Sequence, residues 1–332
     1  MTQIRPGMAL PLASTIAPSD QSTSTVLPRQ TTPQIQPTED GLTLRSDIVY
    51  VSRTLADGRG LELKVDVFTH DESTAPKPLV LYVSGGGFMV SLRSSARDLR
   101  SYVAQAGFVV ASIDYRALTT GPGITFADSV ADVKSAIRFL RANAAEFGID
   151  PECVGAWGES AGGYLVSMVG ASNGTGRFVT EDLADVSSDV AAVVDKFGAS
   201  DLTRVAADFD EPAQAFWRAP DGPLAMFVYG PGGGPLDEHD AAAVESNPAT
   251  HLNPATPPFL LFHGNADAVV SPSQTLLLHN ALRASGVPST RFVLDGANHG
   301  DAPFLGDPEV GRVWSTTTAM DLIVEFLRAE LR

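Results

Sequence analysis

The chain has a single cysteine, Cys153, in 332 residues, so no internal disulfide can form and no cysteine-rich metal site can be assembled. Cys153 lies in an apolar run, which predicts a buried, inert thiol. No stretch approaches the roughly 18 apolar residues that a membrane-spanning helix needs. Basic residues are also few: 23 Lys and Arg stand against 39 Asp and Glu, a formal charge of -16. That balance cannot displace counterions from a phosphate backbone, so no nucleic-acid partner is expected. Histidine is scarce, six in all, with no His-Glu-x-x-His pair and no His/Asp cluster of metal-ligand spacing. The Gly-rich run 230–235 has no Lys-Ser/Thr after it, as a phosphate loop would. No metal and no other cofactor is expected. The opening residues, broken at Pro6, Pro11 and Pro18, make a poor secretory segment, and the expected location is the cytoplasm.

What remains is an ordinary globular composition, 44% hydrophobic and 19% charged, in a chain long enough for one large α/β domain. Residues 1–40 are rich in Pro, Ser, Thr and Gln and show no periodicity. They read as a low-complexity N-terminal arm, disordered by itself but free to pack over a domain formed by residues 41–332. Residues 47–53 and 61–68 alternate apolar and polar around a turn-like 56–60, the pattern of an antiparallel hairpin with one wet face. Residues 78–83 and 108–113 are continuously apolar, as in strands covered on both faces; further strands are expected at 190–197, 258–263 and 290–294. Helices are expected near 94–106, 126–147, 273–285 and 313–330. In 126–147 the apolar positions Phe126, Val130, Val133, Ile137, Leu140, Ala144 and Phe147 share a face, and Gly148 follows as a stop.

This order predicts an α/β protein: a mostly parallel twisted sheet with helices on both faces. Ligands in such folds bind at the carboxyl ends of the strands. The segment 198–255 interrupts the alternation and reads as a partly helical cap over the site. Its Phe216, Trp217, Met226, Phe227 and Tyr229 either line an acyl or alcohol pocket or simply pack the cap onto the core.

The chemistry centres on Gly158-Glu159-Ser160-Ala161-Gly162-Gly163, between an apolar run and a helix-like segment. A serine on a sharp strand-to-helix turn has its hydroxyl clear of the backbone, and the flanking glycines let strand and helix approach. Serine needs a general base, and the base needs an orienting carboxylate. Of the six histidines, His299 lies in Gly296-Ala297-Asn298-His299-Gly300-Asp301, a small-residue loop after the last expected core strand, and is the expected base. His263 ends a strand and has a structural reading. Asp267, just past a strand end, is the expected acid, which gives the chain order Ser160, Asp267, His299. Asp201 is its alternative; Asp114 and Asp301 compete less well, Asp301 being too near His299 in sequence to orient it. Ser84-Gly85-Gly86-Gly87 supplies unobstructed N–H groups, so Gly86, Gly87 and Ala161 are the expected oxyanion donors.

Taken together, Gly-Gly-Gly-Phe after a strand, Gly-Glu-Ser-Ala-Gly-Gly, His-Gly-Asn-Ala-Asp and Asn-His-Gly resemble the α/β-hydrolase superfamily. More narrowly they resemble its carboxylesterase/lipase branch, related to hormone-sensitive lipase and to bacterial feruloyl-esterase-like hydrolases. The resemblance runs from about residue 45 to the end. It implies the α/β-hydrolase fold and a serine esterase working through an acyl-enzyme, with Ser160 as nucleophile, Asp267 as acid, His299 as base and Gly86, Gly87 and Ala161 as oxyanion donors. The family usually has His before the triple glycine; this chain has Ser84, which puts the rigidity of that loop and the substrate preference in question. A small-molecule ester is the expected partner, with a homo-oligomer left open. Amide, peptide or formamide hydrolysis on the same triad is the alternative, as is a hydroxynitrile lyase. A ligand-binding receptor on a hydrolase scaffold is the alternative from another class.

Overall fold

The computed structural model describes residues 12–71, 75–300 and 311–332. Among these described residues nine strands form one sheet: β1 (Thr25–Leu27), β2 (Leu42–Thr54), β3 (Gly60–His70), β4 (Lys77–Val83), β5 (Val109–Ile113), β6 (Ile149–Glu159), β7 (Ala192–Lys196), β8 (Phe259–Gly264) and β9 (Ser289–Leu294). Their order across the sheet is β1-β9-β8-β7-β6-β4-β5-β3-β2. The expected hairpin is β2 with β3, antiparallel, and β3 is antiparallel to β5; every other pair is parallel. The central strands are apolar on both faces because both faces are covered.

Among the described residues the α-helices are α1 (Arg97–Gln105), α2 (Phe126–Ala142), α3 (Ala144–Phe147), α4 (Ala161–Ala171), α5 (Glu211–Trp217), α6 (Pro223–Tyr229), α7 (Ala241–Glu245), α8 (Ser273–Ala284) and α9 (Thr317–Glu330). One core, on the face of α2, α4 and α8, gathers Val130, Ile137, Leu165, Val169, Leu278 and Leu282. The other, on the face of α1 and α9, gathers Leu99, Val103, Trp157, Met320, Ile323 and Leu327. This is the expected layered architecture. Segment 198–255 contains α5, α6 and α7 and two short 3-10 turns, Leu202–Arg204 and Pro248–His251.

Two local features differ from the sequence reading. The helix expected over 126–147 breaks at Asn143, whose φ and ψ are -109° and 23°. The Asn143 side-chain amide donates to Phe139 O at 2.8 Å, the local competition for backbone groups that makes Asn a poor helix-interior residue. Gly148 ends the second piece in the left-handed region, φ 66°. Cys153 is only half-buried in β6, although burial and then the nearby Asp150 push its thiol up.

Residues 12–40 carry structure that their composition did not announce. Ala13 N donates to Ala268 O at 2.9 Å, and Ile16 bridges to Phe209. β1 extends the sheet beside β9, with Thr25 opposite Phe292. Just before β1, Thr23 O accepts from His279 Nε2 at 3.0 Å and Ser24 Oγ accepts from Arg291 Nη1 at 2.8 Å. Gln34 bridges to Thr316 beside the start of α9.

Candidate active site

Ser160 stands between β6 and α4 with φ 55° and ψ -122°, a conformation that costs a non-glycine residue about 1–3 kcal/mol unless its surroundings enforce it. Here the surroundings do. A Cβ on Gly158 would lie 2.2 Å from Gly162 O, and one on Gly162 would lie 2.0 Å from Val83 O. Strand and helix therefore approach closely because these positions lack side chains. Ser160 N is tied to Lys196 O at 2.9 Å. The first turn of α4 leaves N–H groups without intrahelical partners beside the serine.

His299, in the loop after β9, completes an unbroken hydrogen-bonded line. Its Nε2 is 2.8 Å from Ser160 Oγ and its Nδ1 is 2.7 Å from Asp267 Oδ2. The ring stands edge-on to Phe197 at 4.8 Å between centroids. Asp267, in the loop after β8, is fully buried. Its Oδ1 accepts from Val269 N and Val270 N, both at 2.9 Å. Its Oδ2 accepts from His299 and lies 3.2 Å from His263 Nε2. Burial alone would raise the Asp267 carboxyl. The charge on His299 and hydrogen bonds from His263 and His299 outweigh it and hold the group well below the usual carboxylate range.

The structure brings together Ser160, Asp267 and His299, and it keeps the alternative carboxylates elsewhere. Asp201 caps the turn at Leu202–Arg204, accepting from Thr203 N at 3.1 Å and Thr203 Oγ1 at 2.6 Å. Asp114 pairs with Arg93 at 2.5 Å. Asp301 lies outside the described residues.

The glycine loop after β4 faces the serine. A Cβ on Gly85 would meet Ser160 Cβ at 3.0 Å, so this backbone passes directly over the nucleophile position. Gly86 and Gly87 have φ of 155° and 60°, values that suit glycine, and their N–H groups are given to no backbone acceptor among the described residues. Ser84 turns out to brace this loop. It is buried, its Oγ accepts from Leu92 N at 3.0 Å, and its carbonyl accepts from Tyr115 OH at 3.0 Å. Phe88 then stacks on Phe227 of α6 at 4.4 Å and meets Tyr164 edge-on at 5.5 Å. Phe227 and Trp217 are buried, so both pack the 198–255 segment onto the domain.

Two groups near Ser160 had no signal in the sequence. Glu159 accepts from Lys196 Nζ at 2.6 Å and from Tyr82 OH at 3.0 Å. His263, read as structural, touches the acid itself. Glu159 depends on partners from other strands and His263 on partners from the following loop and α8, which spacing along one chain does not show. Among the described residues no group of three His, Cys, Asp or Glu is arranged to hold a metal ion, and no helix is long and apolar enough to cross a membrane.

Such a site can do nucleophilic acyl transfer: a poised hydroxyl, a base on it, a buried anion behind the base, and N–H donors in front. The model of the BD-FAE family matches residues 65–282. Esterase LipC of Mycobacterium tuberculosis is 30% identical over 232 residues, 69% of this chain and 54% of that one. A probable isoprenylcysteine alpha-carbonyl methylesterase of Arabidopsis thaliana is 27% identical over 270 residues, 80% of this chain and 54% of that one. The chain thus spans about half the length of these curated relatives. A truncated carbohydrate esterase from gut microbiota superposes with a TM-score of 0.73 at 24% identity, covering 89% of this chain and 98% of that one, which bears on the fold alone. A thermophilic esterase of Thermogutta terrifontis superposes with a TM-score of 0.64 at 25% identity, covering 87% and 92%. With its family model spanning most of the sheet and its architecture shared by solved esterases, the chain belongs to the BD-FAE family, on the carboxylesterase branch of the α/β-hydrolases.

Proposed function

We propose that the protein is a serine esterase that cleaves carboxylic esters of small molecules through an acyl-enzyme. The observation that carries this reading is the continuous Ser160–His299–Asp267 hydrogen-bond line at the carboxyl ends of β6, β8 and β9. Ser160 Oγ attacks the ester carbonyl carbon and passes its proton to His299 Nε2. Asp267 stabilises the resulting imidazolium. The oxyanion accepts from the N–H groups of Gly86, Gly87 and Ala161, each such donor typically worth roughly 2.7–4 kcal/mol in the transition state. His299 then protonates the departing alcohol. Water, deprotonated by His299, attacks the acyl-enzyme, and the acid leaves as Ser160 regains its proton. These steps use protein groups and water only.

The same reading takes residues 41–332 as the catalytic domain, 198–255 as a cap within it, and residues 1–40 as a low-complexity N-terminal arm. Phe227 against Phe88 supports a cap that touches the oxyanion loop. A cytoplasmic location and self-association belong to the proposal and are checked by cell fractionation and by light scattering. The test of function is a fluorophosphonate: Ser160 should gain its mass, and the Ser160→Ala protein should not. The p-nitrophenyl esters should turn over faster than matched aryl amides. Absence of label on Ser160, or faster amide cleavage, overturns the ester reading.

A further inference from the structure

His263 and His299 both approach Oδ2 of Asp267, His263 from β8 and His299 from the loop after β9. The Nε2 of His263 is 3.2 Å from Asp267 Oδ2 and 3.1 Å from Val270 O. A carboxylate and a carbonyl only accept, so Nε2 carries a hydrogen. Its Nδ1 is 3.0 Å from Thr275 Oγ1. That hydroxyl already accepts from Arg291 Nε at 2.9 Å, which leaves its own hydrogen for Nδ1. Arg291 donates further to Pro272 O and Ser24 Oγ, both at 2.8 Å. Burial takes the guanidinium down to about 10, so at neutral pH it remains a cation and a pure donor. Arg291, Thr275, His263 and Asp267 are all buried, out of reach of solvent that would scramble the directions.

We propose that Arg291, Thr275 and His263 form a one-way donor relay that locks His263 as the Nε2–H tautomer and so fixes Asp267 behind His299. His263 and Thr275 are positioning residues: neither touches the reacting atoms. The consequence is specific. With its donor to Nδ1 removed, the ring loses the hydrogen bond that holds its orientation and is free to turn its Nε2–H away from the Asp267 carboxylate. The carboxylate then loses a donor, and the hydrogen bond it makes to His299 changes.

The proposal rests on the esterase reading for its catalytic effect, whereas its structural core is read without activity. Selective ¹⁵N labelling of histidine in the full chain, with long-range proton–nitrogen correlation, reports the tautomer of His263. The expected result is a protonated Nε2 and a bare Nδ1; a protonated Nδ1 overturns the proposal. Thr275→Val keeps shape and removes the hydroxyl, whereas Thr275→Ser keeps the hydroxyl. Thr275→Val should lower kcat by about tenfold or more, the worth of one hydrogen bond to a charged group, with KM unchanged. It should also move the downfield resonance of the proton between His299 and Asp267. Thr275→Ser should restore both. A folded Thr275→Val protein with unchanged kcat and an unmoved resonance sinks the relay. If Thr275→Val does not fold, the tautomer in the wild-type protein decides. A wild-type protein that cleaves no ester counts against the esterase reading and leaves the tautomer to be measured.

Discussion

Lys196→Met tests the energetics beside the nucleophile. Lys196 Nζ and Glu159 Oε1 are 2.6 Å apart, with side-chain exposures of 2% and 16%. The ammonium lies 5.5–5.8 Å from the ring centroids of Trp157, Phe197 and Trp314. Met preserves the length of the side chain and packs well on aromatic rings, so little apolar contact is lost. What is lost is the counter-charge, leaving Glu159 with Tyr82 OH as its remaining partner. Removing one partner of a buried pair costs about 3–5 kcal/mol. Because Glu159 keeps some solvent, the lower end applies, about 3 kcal/mol. For a chain of this size that lowers Tm by roughly 6 °C, taking about 2 °C per kcal/mol. Glu159→Gln alone strands the ammonium among the rings and should cost a comparable amount. The double variant strands neither charge and should regain most of the loss, since neutral replacements of buried pairs are often nearly neutral in stability. Thermal and urea melts of the four proteins at one pH form the cycle. If the two single losses simply add in the double variant, or if Lys196→Met alone is silent, the pair is not coupled and the argument fails.

Three further outcomes follow from other positions. Burial pushes the Asp195 carboxyl up to about 7, against hydrogen bonds from Gly198 N and Ser167 Oγ. Between roughly pH 4 and 7 the folded chain thus holds a proton that the unfolded chain has released, and this group makes stability fall as pH rises. Asp195→Asn should remove that slope, gaining up to about 3 kcal/mol on the parent between pH 5 and pH 8; an equal difference in urea stability at both pH values refutes it. Gly162→Ala sets a methyl 2.0 Å from Val83 O, fixed backbone, and should cost at least about 3 kcal/mol and most activity. Gly121→Ala meets only a Leu55 side-chain tip at 2.9 Å and should be mild in the same melts; comparable damage at both sites argues against the close approach. Ser84→Ala removes the acceptor for Leu92 N, should cost about 1 kcal/mol, and should lower kcat more than it changes KM if that loop presents the oxyanion donors. An unchanged kcat would show that the brace is not needed.

The strands that carry the site were legible because burial on both faces writes itself as an uninterrupted apolar run, as in residues 79–83, and because Gly158 and Gly162 mark a clearance that only glycine gives. The position of His299 was legible from its small-residue loop after a strand. Long-range polar pairing left no such trace. Nothing near Lys196 in sequence foretells Glu159, which it meets across strands that are neighbours only in the sheet, and nothing near His263 foretells Arg291, which reaches it only through Thr275. β1 was missed for another reason: three residues are too few for any periodicity. The break at Asn143 was hidden by apolar spacing that continues through Ala144 and Phe147, so the side-chain competition of one Asn decided what the pattern could not.

The placing of β1 has a consequence for the order in which the molecule is completed. Its hydrogen-bonding neighbour, β9, is made some 267 residues later (Leu27 to Leu294), and so are His279 and Arg291, which hold Thr23 and Ser24. At roughly 5–20 residues per second, β1 waits about 13–53 s after its own synthesis before its docking surface exists. The edge of β9 can therefore be sealed by β1 only after β9 itself has been made, so a segment made before the rest of the sheet is paired after it.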